Sequence, residues 1–199
     1  MRNPFTAISL VVFTVACNGK KQSAVTPSTK PTAPTIKGSQ DAQSKVITEF
    51  YKAVLQDDRG GLPSEAMTKK ATPFLSKGLL ALIVEARDEE KKAIARVKDL
   101  GPGPFEGFPF VSPGEGATKV TKISNDSKFA ANSYLVSLCS ISNVDQKPYD
   151  PMMVRVLLIN EGSHWVIDDI HYYQDVPNPT PEGLRSYLSS GIKDLRSTK

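Results

Sequence analysis

The change of hydrophobic pattern along the chain constrains its fold more than any other feature. Between residues 41 and 98 apolar residues recur at helical spacing, whereas residues 118–173 form short runs rich in β-branched and aromatic residues. Helices followed by consecutive strands are typical of an α+β domain, because a βαβ protein would interleave the two patterns. The sequence therefore predicts N-terminal helices packed on a curved antiparallel sheet of about four strands.

Local start and stop signals give the expected bounds of these elements. Asp41 is a candidate N-cap for a first helix over residues 41–56. A second helical region is expected to begin near Pro63 or Pro73. The predicted strands are Thr118–Ser124, Phe129–Ser142, Met152–Asn160 and His164–Tyr173, with a hairpin turn at Asn160-Glu161-Gly162.

A short amphipathic helix is predicted at the C-terminal end of the chain. Thr180 fits the N-cap, and Pro181 fits the first helical position, where its missing N–H costs nothing. Gly183 and Gly191 weaken this helix, because glycine has a low helix propensity. We therefore expect the helix to depend on docking against the rest of the domain.

The first forty residues differ in composition from the remainder. Arg2 is followed by an apolar run that ends at Ala16 and by Cys17, a pattern typical of a secretory signal over residues 1–16. Thr14-Val15-Ala16-Cys17 resembles the end of a bacterial lipoprotein signal, which implies a lipid on Cys17. The alternative is an ordinary signal peptide cut nearby, which would leave Cys17 as a free thiol or remove it.

A lysine-rich segment accounts for the basic charge of the chain. Residues 18–40 contain four lysines and no acidic residue, and few large apolar side chains, so a disordered tether is predicted over residues 17–40. Without Arg2 and these lysines, 20 basic residues remain against 21 acidic ones in the predicted single domain, residues 41–199. We therefore expect the tether to rest near anionic lipid, and we expect no nucleic-acid partner.

A loop with an unusual composition separates the helical part from the strands. Nine of the sixteen residues of Gly101–Gly116 are Gly or Pro, which predicts an irregular segment. Phe105, Phe108 and Phe110 either dock onto the core or, together with Trp165, form a surface for a partner. Docking is the favoured alternative for the loop, and Trp165 is expected to be a core or rim anchor.

Two sequence segments resemble those of the nuclear-transport-factor-2-like (cystatin-like) fold. These are Phe50-Tyr51 in the first helix and Gly162–Ile170, which follows the pattern Gly-x-x-Trp-x-Ile-x-x-Ile. More narrowly, residues 45–175 resemble an uncharacterised family of Gram-negative envelope lipoproteins with this fold. The resemblance implies a periplasmic domain, and Asn18 after the cysteine resembles a signal for sorting to the outer membrane. The fold often dimerises through its sheet, so a homodimer is one expectation.

The same superfamily includes dehydratases and isomerases, which place an Asp or His and a Tyr in a cone-shaped pocket. Asp169 and His171 are an acid–base pair on one face of the predicted last strand, since alternate side chains share a face. The enzymatic hypothesis is that Asp169 orients His171 as a general base and that Tyr134 donates a proton. The favoured alternative is an acidic strand end beside an exposed histidine.

The remaining candidate residues predict neither a metal site nor a cofactor. His164 and His171 are seven positions apart on one predicted strand and should point to opposite faces. Cys139 lies in a predicted buried strand and is expected to act as a small hydrophobe. Three functions stay open: a non-enzymatic lipoprotein that binds an envelope protein or an apolar small molecule, an isomerase or dehydratase, and a periplasmic immunity or inhibitor protein.

Overall fold

Helices precede a four-stranded antiparallel sheet, and a short helix follows it, as the α+β pattern predicted. The structure is a computed structural model that describes residues 37–55, 60–97, 103–111, 116–140, 152–172 and 183–198. None of its described helices is long and apolar enough to cross a membrane. The elements are α1 (Lys37–Val54), α2 (Glu65–Ala71), a 3₁₀ turn (Thr72–Phe74), α3 (Lys77–Arg96), β1 (Lys119–Asn125), β2 (Ser133–Cys139), β3 (Met152–Glu161), β4 (His164–Tyr172) and α4 (Leu184–Ser197).

The N-terminal helices begin at other residues than predicted. α1 begins at Lys37, so Asp41 lies inside the helix and not at its N-cap, and the last residues of the predicted 17–40 tether are helical. Ser64 and Ser76 accept hydrogen bonds from backbone N–H groups as the N-caps of α2 and α3. The second cap explains why the predicted second helical region is divided into α2, the 3₁₀ turn and α3.

The C-terminal helix also begins later than predicted. Gly183 is the N-cap of α4, and it has no side chain that could accept the exposed N–H groups of the first turn. The predicted cap, Thr180, and the following Pro181 lie outside the described residues. The first turn of α4 therefore needs an acceptor from another part of the domain.

The four strands form a meander in the order β1-β2-β3-β4. The hairpin between β3 and β4 turns at Gly162 and Ser163, whose φ values are 57° and 81°. Positive φ at both central residues is typical of a type I′ turn, whose twist matches that of the strands. The predicted hairpin is therefore confirmed, but its turn lies later than the predicted residues 160–162, because Asn160 and Glu161 still pair within β3.

The core lies between the helices and one face of the sheet. Phe50 and Tyr51 are fully buried on α1, and their rings pack edge to face at 5.0 Å. The sheet contributes buried aliphatic side chains, among them Val136, Val154, Val156, Leu158 and Ile170. Cys139 is also buried, as its strand context predicted. The two aromatic residues of the first helix thus pack at the centre of the domain.

β4 contains an irregularity that changes which residues share a face. Residues 167–169 lie opposite only two residues of β3, so that Asp168 is an extra residue, as in a β-bulge. Because the bulge shifts the alternation by one position, Ile167 and Ile170 are both fully buried in the core. A regular strand would place these two residues, which are three positions apart, on opposite faces, and the bulge is the physical reason that β4 does not.

Candidate functional site

The described part of the Phe-rich loop, residues 103–111, is held by tyrosine side chains from three different elements. A loop rich in glycine and proline forms few regular backbone hydrogen bonds, so its carbonyl groups need other donors. Each tyrosine hydroxyl donates to one loop carbonyl. The bonds run from Tyr51 of α1 to Phe110 (3.2 Å), from Tyr172 of β4 to Pro109 (2.6 Å) and from Tyr187 of α4 to Glu106 (2.8 Å).

These hydroxyls act as neutral donors. Burial raises the pKa of Tyr51 and Tyr172, and it also raises the pKa of the half-buried Tyr187. A phenol with a raised pKa keeps its proton at neutral pH and remains a hydrogen-bond donor. The tyrosines therefore fix the loop and are poor candidates for proton transfer.

The phenylalanines of the loop have different environments. Phe105 and Phe110 are only 5% and 3% exposed, and the Phe110 ring packs edge to face on Phe50 at 5.2 Å. Neither ring is presented to a partner, because the core covers both, so the surface hypothesis fails for this pair and the docking alternative holds. Phe108 and Trp165 are partly buried against the core. Phe108, like Phe110, also lines a cavity, whereas Trp165 does not line it.

This cavity lies where the Phe-rich loop meets the end of α1 and the start of β1. Its volume is about 290 Å³, close to the lower end of the range of about 300–1,000 Å³ that is usual for small-molecule pockets. No ionisable side chain occurs among the described residues that line it. Its apolar walls include Val54, Met67, Phe108, Phe110, Val111 and Ala117.

A polar edge of the cavity lies at the open end of the β1–β2 pair. The Ser140 hydroxyl donates to the carbonyl oxygen of Gly116 at 2.8 Å, and both residues line the cavity. The Thr118 backbone N–H donates to the carbonyl of Cys139 at 3.0 Å. Ser140 and Thr118 were not predicted as site residues, because serine and threonine near strand ends carry no distinctive motif. These two residues line the cavity only because the Phe-rich loop packs beside the ends of β1 and β2.

Asp169 and His171, the predicted acid–base pair, do share a face and are in contact. Nε2 of His171 lies 3.1 Å from Oδ2 of Asp169, and each side chain is less than one fifth exposed. The His171 ring also packs edge to face on Phe129 at 5.7 Å. The alternative of an exposed histidine is therefore wrong for this strand end.

The Asp169 carboxylate has a structural task at the start of α4. Its Oδ1 accepts the backbone N–H of Arg185 at 3.0 Å and that of Ile170 at 2.9 Å. A Cβ on Gly183 would lie 2.5 Å from Oδ2, so only glycine lets the carboxylate approach the helix. Burial raises the pKa of Asp169, but hydrogen bonds from His171 and from the two backbone N–H groups outweigh it, and the pKa is lowered overall. Asp169 thus supplies the cap that α4 lacks.

Asp168, the extra residue of the bulge, forms hydrogen bonds with other groups than Asp169 does. Its Oδ1 accepts hydrogen bonds from the Ser76 hydroxyl and from Nη1 of Arg185, each at 2.6 Å. Ser76 is also the N-cap of α3. The adjacent carboxylates therefore join β4 to the first turns of two helices: Asp168 binds at α3, and Asp169 binds at α4.

Tyr134, the predicted proton donor, lies on the other face of the sheet. It opposes Val156 and donates from its hydroxyl to Oε1 of Gln43 on α1 at 2.7 Å. His171 opposes Arg155, the neighbour of Val156, and neighbouring residues of a strand point to opposite faces. The sheet therefore separates Tyr134 from His171, and the three candidate catalytic residues do not form one site.

The two histidines lie at opposite ends of β4. His164 is exposed beside the hairpin and opposes Glu161, whereas His171 opposes Arg155. In the described part of the chain, no group of three or more His, Cys, Asp or Glu side chains could hold a metal ion. Glu161 and Arg155 are six positions apart on β3, so the two histidines point to the same face of the sheet. The predicted opposite faces were therefore wrong, because the bulge at Asp168 shifts the alternation of β4 by one position.

Comparisons with known proteins assign no activity to this arrangement. No family model and no curated protein matches the chain. Among solved structures, it is similar to a protein of unknown function from Bacteroides thetaiotaomicron, at 19% identity and a TM-score of 0.36, with 67% of this chain and 92% of that chain covered. A likeness at this level fixes neither the fold nor the function of the present chain.

Proposed function

We propose that this protein is a lipid-anchored envelope protein whose domain binds an apolar small molecule without catalysing a reaction. The observation that carries the proposal is the cavity of about 290 Å³ beside the Phe-rich loop. Its described lining is uncharged, and its volume suits a small molecule rather than a peptide segment. Burial of apolar ligand surface would supply the affinity, about 25 cal/mol per Å² before the costs of association.

The walls of the cavity favour a preformed binding site. Tyr51 and Tyr172 hold the backbone of the loop at Phe110 and Pro109, and the Phe110 ring is packed against Phe50. A site that is already ordered loses less conformational entropy when a ligand binds. Because the loop is already ordered, we expect a ligand to bind in the existing cavity, without the folding of an unstructured loop around it.

The contacts of the candidate catalytic residues favour binding over the isomerase or dehydratase alternative. Asp169 is engaged in capping α4, and Tyr134 is separated from His171 by the sheet. None of the three lines the cavity. A protein partner, as in the immunity or inhibitor alternative, is less well supported because Phe105 and Phe110 are buried.

Filling the cavity is expected to abolish or strongly weaken binding. Ala117 is buried in the cavity wall, so Ala117→Met places three further heavy atoms in the space that a ligand needs. We expect the affinity for 2-naphthol, measured by its fluorescence, to fall at least about tenfold, or about 1.4 kcal/mol. Ala95→Met is the matched control, because Ala95 is exposed on α3 and does not line the cavity.

A second variant that fills the cavity separates loss of binding from loss of folding. Leu55→Phe fills the cavity from the end of α1 and leaves Ala117 unchanged. Circular dichroism of each variant reports whether the domain is folded. If folded Ala117→Met and Leu55→Phe proteins bind 2-naphthol as the unchanged protein does, the cavity is not the binding site.

The anchoring part of the proposal rests on the sequence, since residues 1–36 lie outside the described residues. The apolar run before Cys17, the lysine-rich segment after it and the resemblance to envelope lipoproteins support a lipid on this cysteine. Asn18 supports the outer membrane as the location, with the domain in the periplasm. The tether would then keep the domain close to the membrane surface.

Labelled palmitate tests the anchor in a Gram-negative host. The unchanged protein is expected to carry the label, and Cys17→Ser is expected to lose it completely, because the thiol of Cys17 is the proposed attachment point. Cys139→Ser is the matched control, since Cys139 is buried in β2 and should not affect labelling. Label that persists on Cys17→Ser would contradict the proposed anchor.

A further inference from the structure

We infer that the cavity selects an uncharged ligand that combines an apolar ring with one hydrogen-bond donor, such as a hydroxyl group. This inference rests on the proposed function and adds the chemical class of the ligand. It follows from three properties of the described lining: the absence of charge, the presence of aromatic and thioether groups, and the hydroxyl group of Ser140 at one edge.

The lining disfavours a charged ligand. The described residues around the cavity include neither an acid nor a base, and their backbone is partly occupied by hydrogen bonds to tyrosine and serine hydroxyls. An ionised group that enters such a space loses its hydration and gains no partner of opposite charge. A neutral molecule avoids this cost, so the cavity should discriminate between a neutral ligand and its ionised analogue.

The shape and chemistry of the walls favour a ring. Phe108 and Phe110 offer aromatic surface, and Met67 offers a polarisable thioether, which makes favourable contacts with aromatic rings. A dry engineered cavity of about 150 Å³ is known to accept benzene. The present cavity, at about 290 Å³, therefore has room for a ligand of about two rings.

The polar edge supplies a single acceptor. A serine hydroxyl has one donor hydrogen and two acceptor lone pairs. The Ser140 hydrogen is used in the 2.8 Å bond to the Gly116 carbonyl, which leaves the oxygen able to accept a bond. Both residues joined by that bond line the cavity, and on this basis we place the oxygen at its wall. A ligand hydroxyl can donate to it while the ring occupies the apolar part.

Three probes with the same ring system test this inference on the purified protein near neutral pH. They are naphthalene, which has no polar group, 2-naphthol, which is neutral and has one donor, and 2-naphthoate, which is ionised. We expect 2-naphthol to bind about three- to tenfold more tightly than naphthalene, as one additional hydrogen bond allows. We expect 2-naphthoate to bind at least about tenfold more weakly than 2-naphthol.

Variants of Ser140 identify the acceptor. Ser140→Ala is expected to lower the affinity for 2-naphthol to that for naphthalene and to leave naphthalene binding unchanged. Ser140→Thr keeps a hydroxyl at this position and is expected to retain a preference for 2-naphthol. An equal loss of both ligands in Ser140→Ala, with no recovery in Ser140→Thr, would show that Ser140 only supports the loop.

The probes separate the failure of this inference from the failure of the proposed function. Binding of 2-naphthoate as tight as that of 2-naphthol would overturn the inferred ligand class, while the cavity would still be a binding site. If none of the three probes binds, and Ala117→Met behaves as Ala95→Met does, the proposed function itself is wrong. The expected result is a preference for 2-naphthol over naphthalene that Ser140→Ala removes and Ser140→Thr retains.

Discussion

Gly191→Ala is expected to destabilise the domain, although alanine normally stabilises a helix interior by about 1 kcal/mol relative to glycine. A Cβ at this position of α4 would overlap Cε1 of the buried Phe105 ring and would lie 2.6 Å from its Cζ. The ring or the helix must move, and overpacking of this kind costs about 1–3 kcal/mol, more where both partners are held in place. Because both partners are held, we take a cost of about 2–3 kcal/mol, and the helix propensity of alanine offsets about 1 kcal/mol of it. We therefore expect a net loss of about 1–2 kcal/mol in the free energy of unfolding, measured in urea.

Two further variants establish that contact with Phe105 is the cause. Gly78→Ala is the control, because the added Cβ would meet only the end of the Arg185 side chain, 2.9 Å away. It should be neutral or stabilising. Phe105→Leu in the Gly191→Ala background should recover part of the lost stability, since the smaller side chain makes room. A Gly191→Ala protein as stable as the unchanged protein would contradict the described packing of α4.

Asp169→Ala is the second substitution with a large expected effect. It removes the acceptor at the start of α4 and leaves buried polar groups of Arg185 and His171 without their partner. Loss of a cap costs about 0.5–2 kcal/mol, and each unsatisfied buried group adds about 1–3 kcal/mol. We expect the free energy of unfolding in urea to fall by about 2–4 kcal/mol. Asp194→Ala, at an exposed position of the same helix, should change it by less than about 0.5 kcal/mol.

The ionisation of Asp169 gives the same interaction a characteristic pH dependence. Its pKa in the folded state is lowered, because hydrogen bonds from His171 and two backbone N–H groups outweigh the effect of burial. A lowered folded-state pKa contributes stability above the unfolded-state pKa of about 3.9, and this contribution is lost as the pH falls through the folded-state value. The stability difference between the unchanged protein and Asp169→Asn should therefore be largest near neutral pH and shrink below about pH 4. A difference that stays constant down to pH 2.5 would contradict this role.

The fold class could be predicted because it depends on patterns that are local in the sequence. The helical spacing around Phe50 and Tyr51 and the apolar strand from Met152 to Leu158 reflect burial on one face of an element. The bounds of the elements were less accurate. Ser76 divides the predicted second helical region by capping α3, and its hydroxyl also donates to Asp168, a contact across 92 residues that no local pattern contains.

The candidate site was predictable only where a single strand determined it. The spacing of Asp169 and His171 correctly predicted a shared face, since one intervening residue separates them. The bulge at Asp168 could not be predicted, because it depends on pairing with β3 and on contacts with two helices. The cavity was also missed, since its walls come from distant segments joined by the tyrosine hydroxyls.

The position of α4 in the chain has a consequence for synthesis. Because a chain is synthesised from its N-terminus, α4 leaves the ribosome after every other described helix and strand. Before then Asp169 has no helix to cap, the Phe105 ring has no Gly191 beneath it, and Arg96 cannot donate to the carbonyl of Leu195, which lies 99 residues later. The other elements thus cannot complete these contacts until α4 has been synthesised, and a truncation that removes α4 should make the domain more sensitive to proteases.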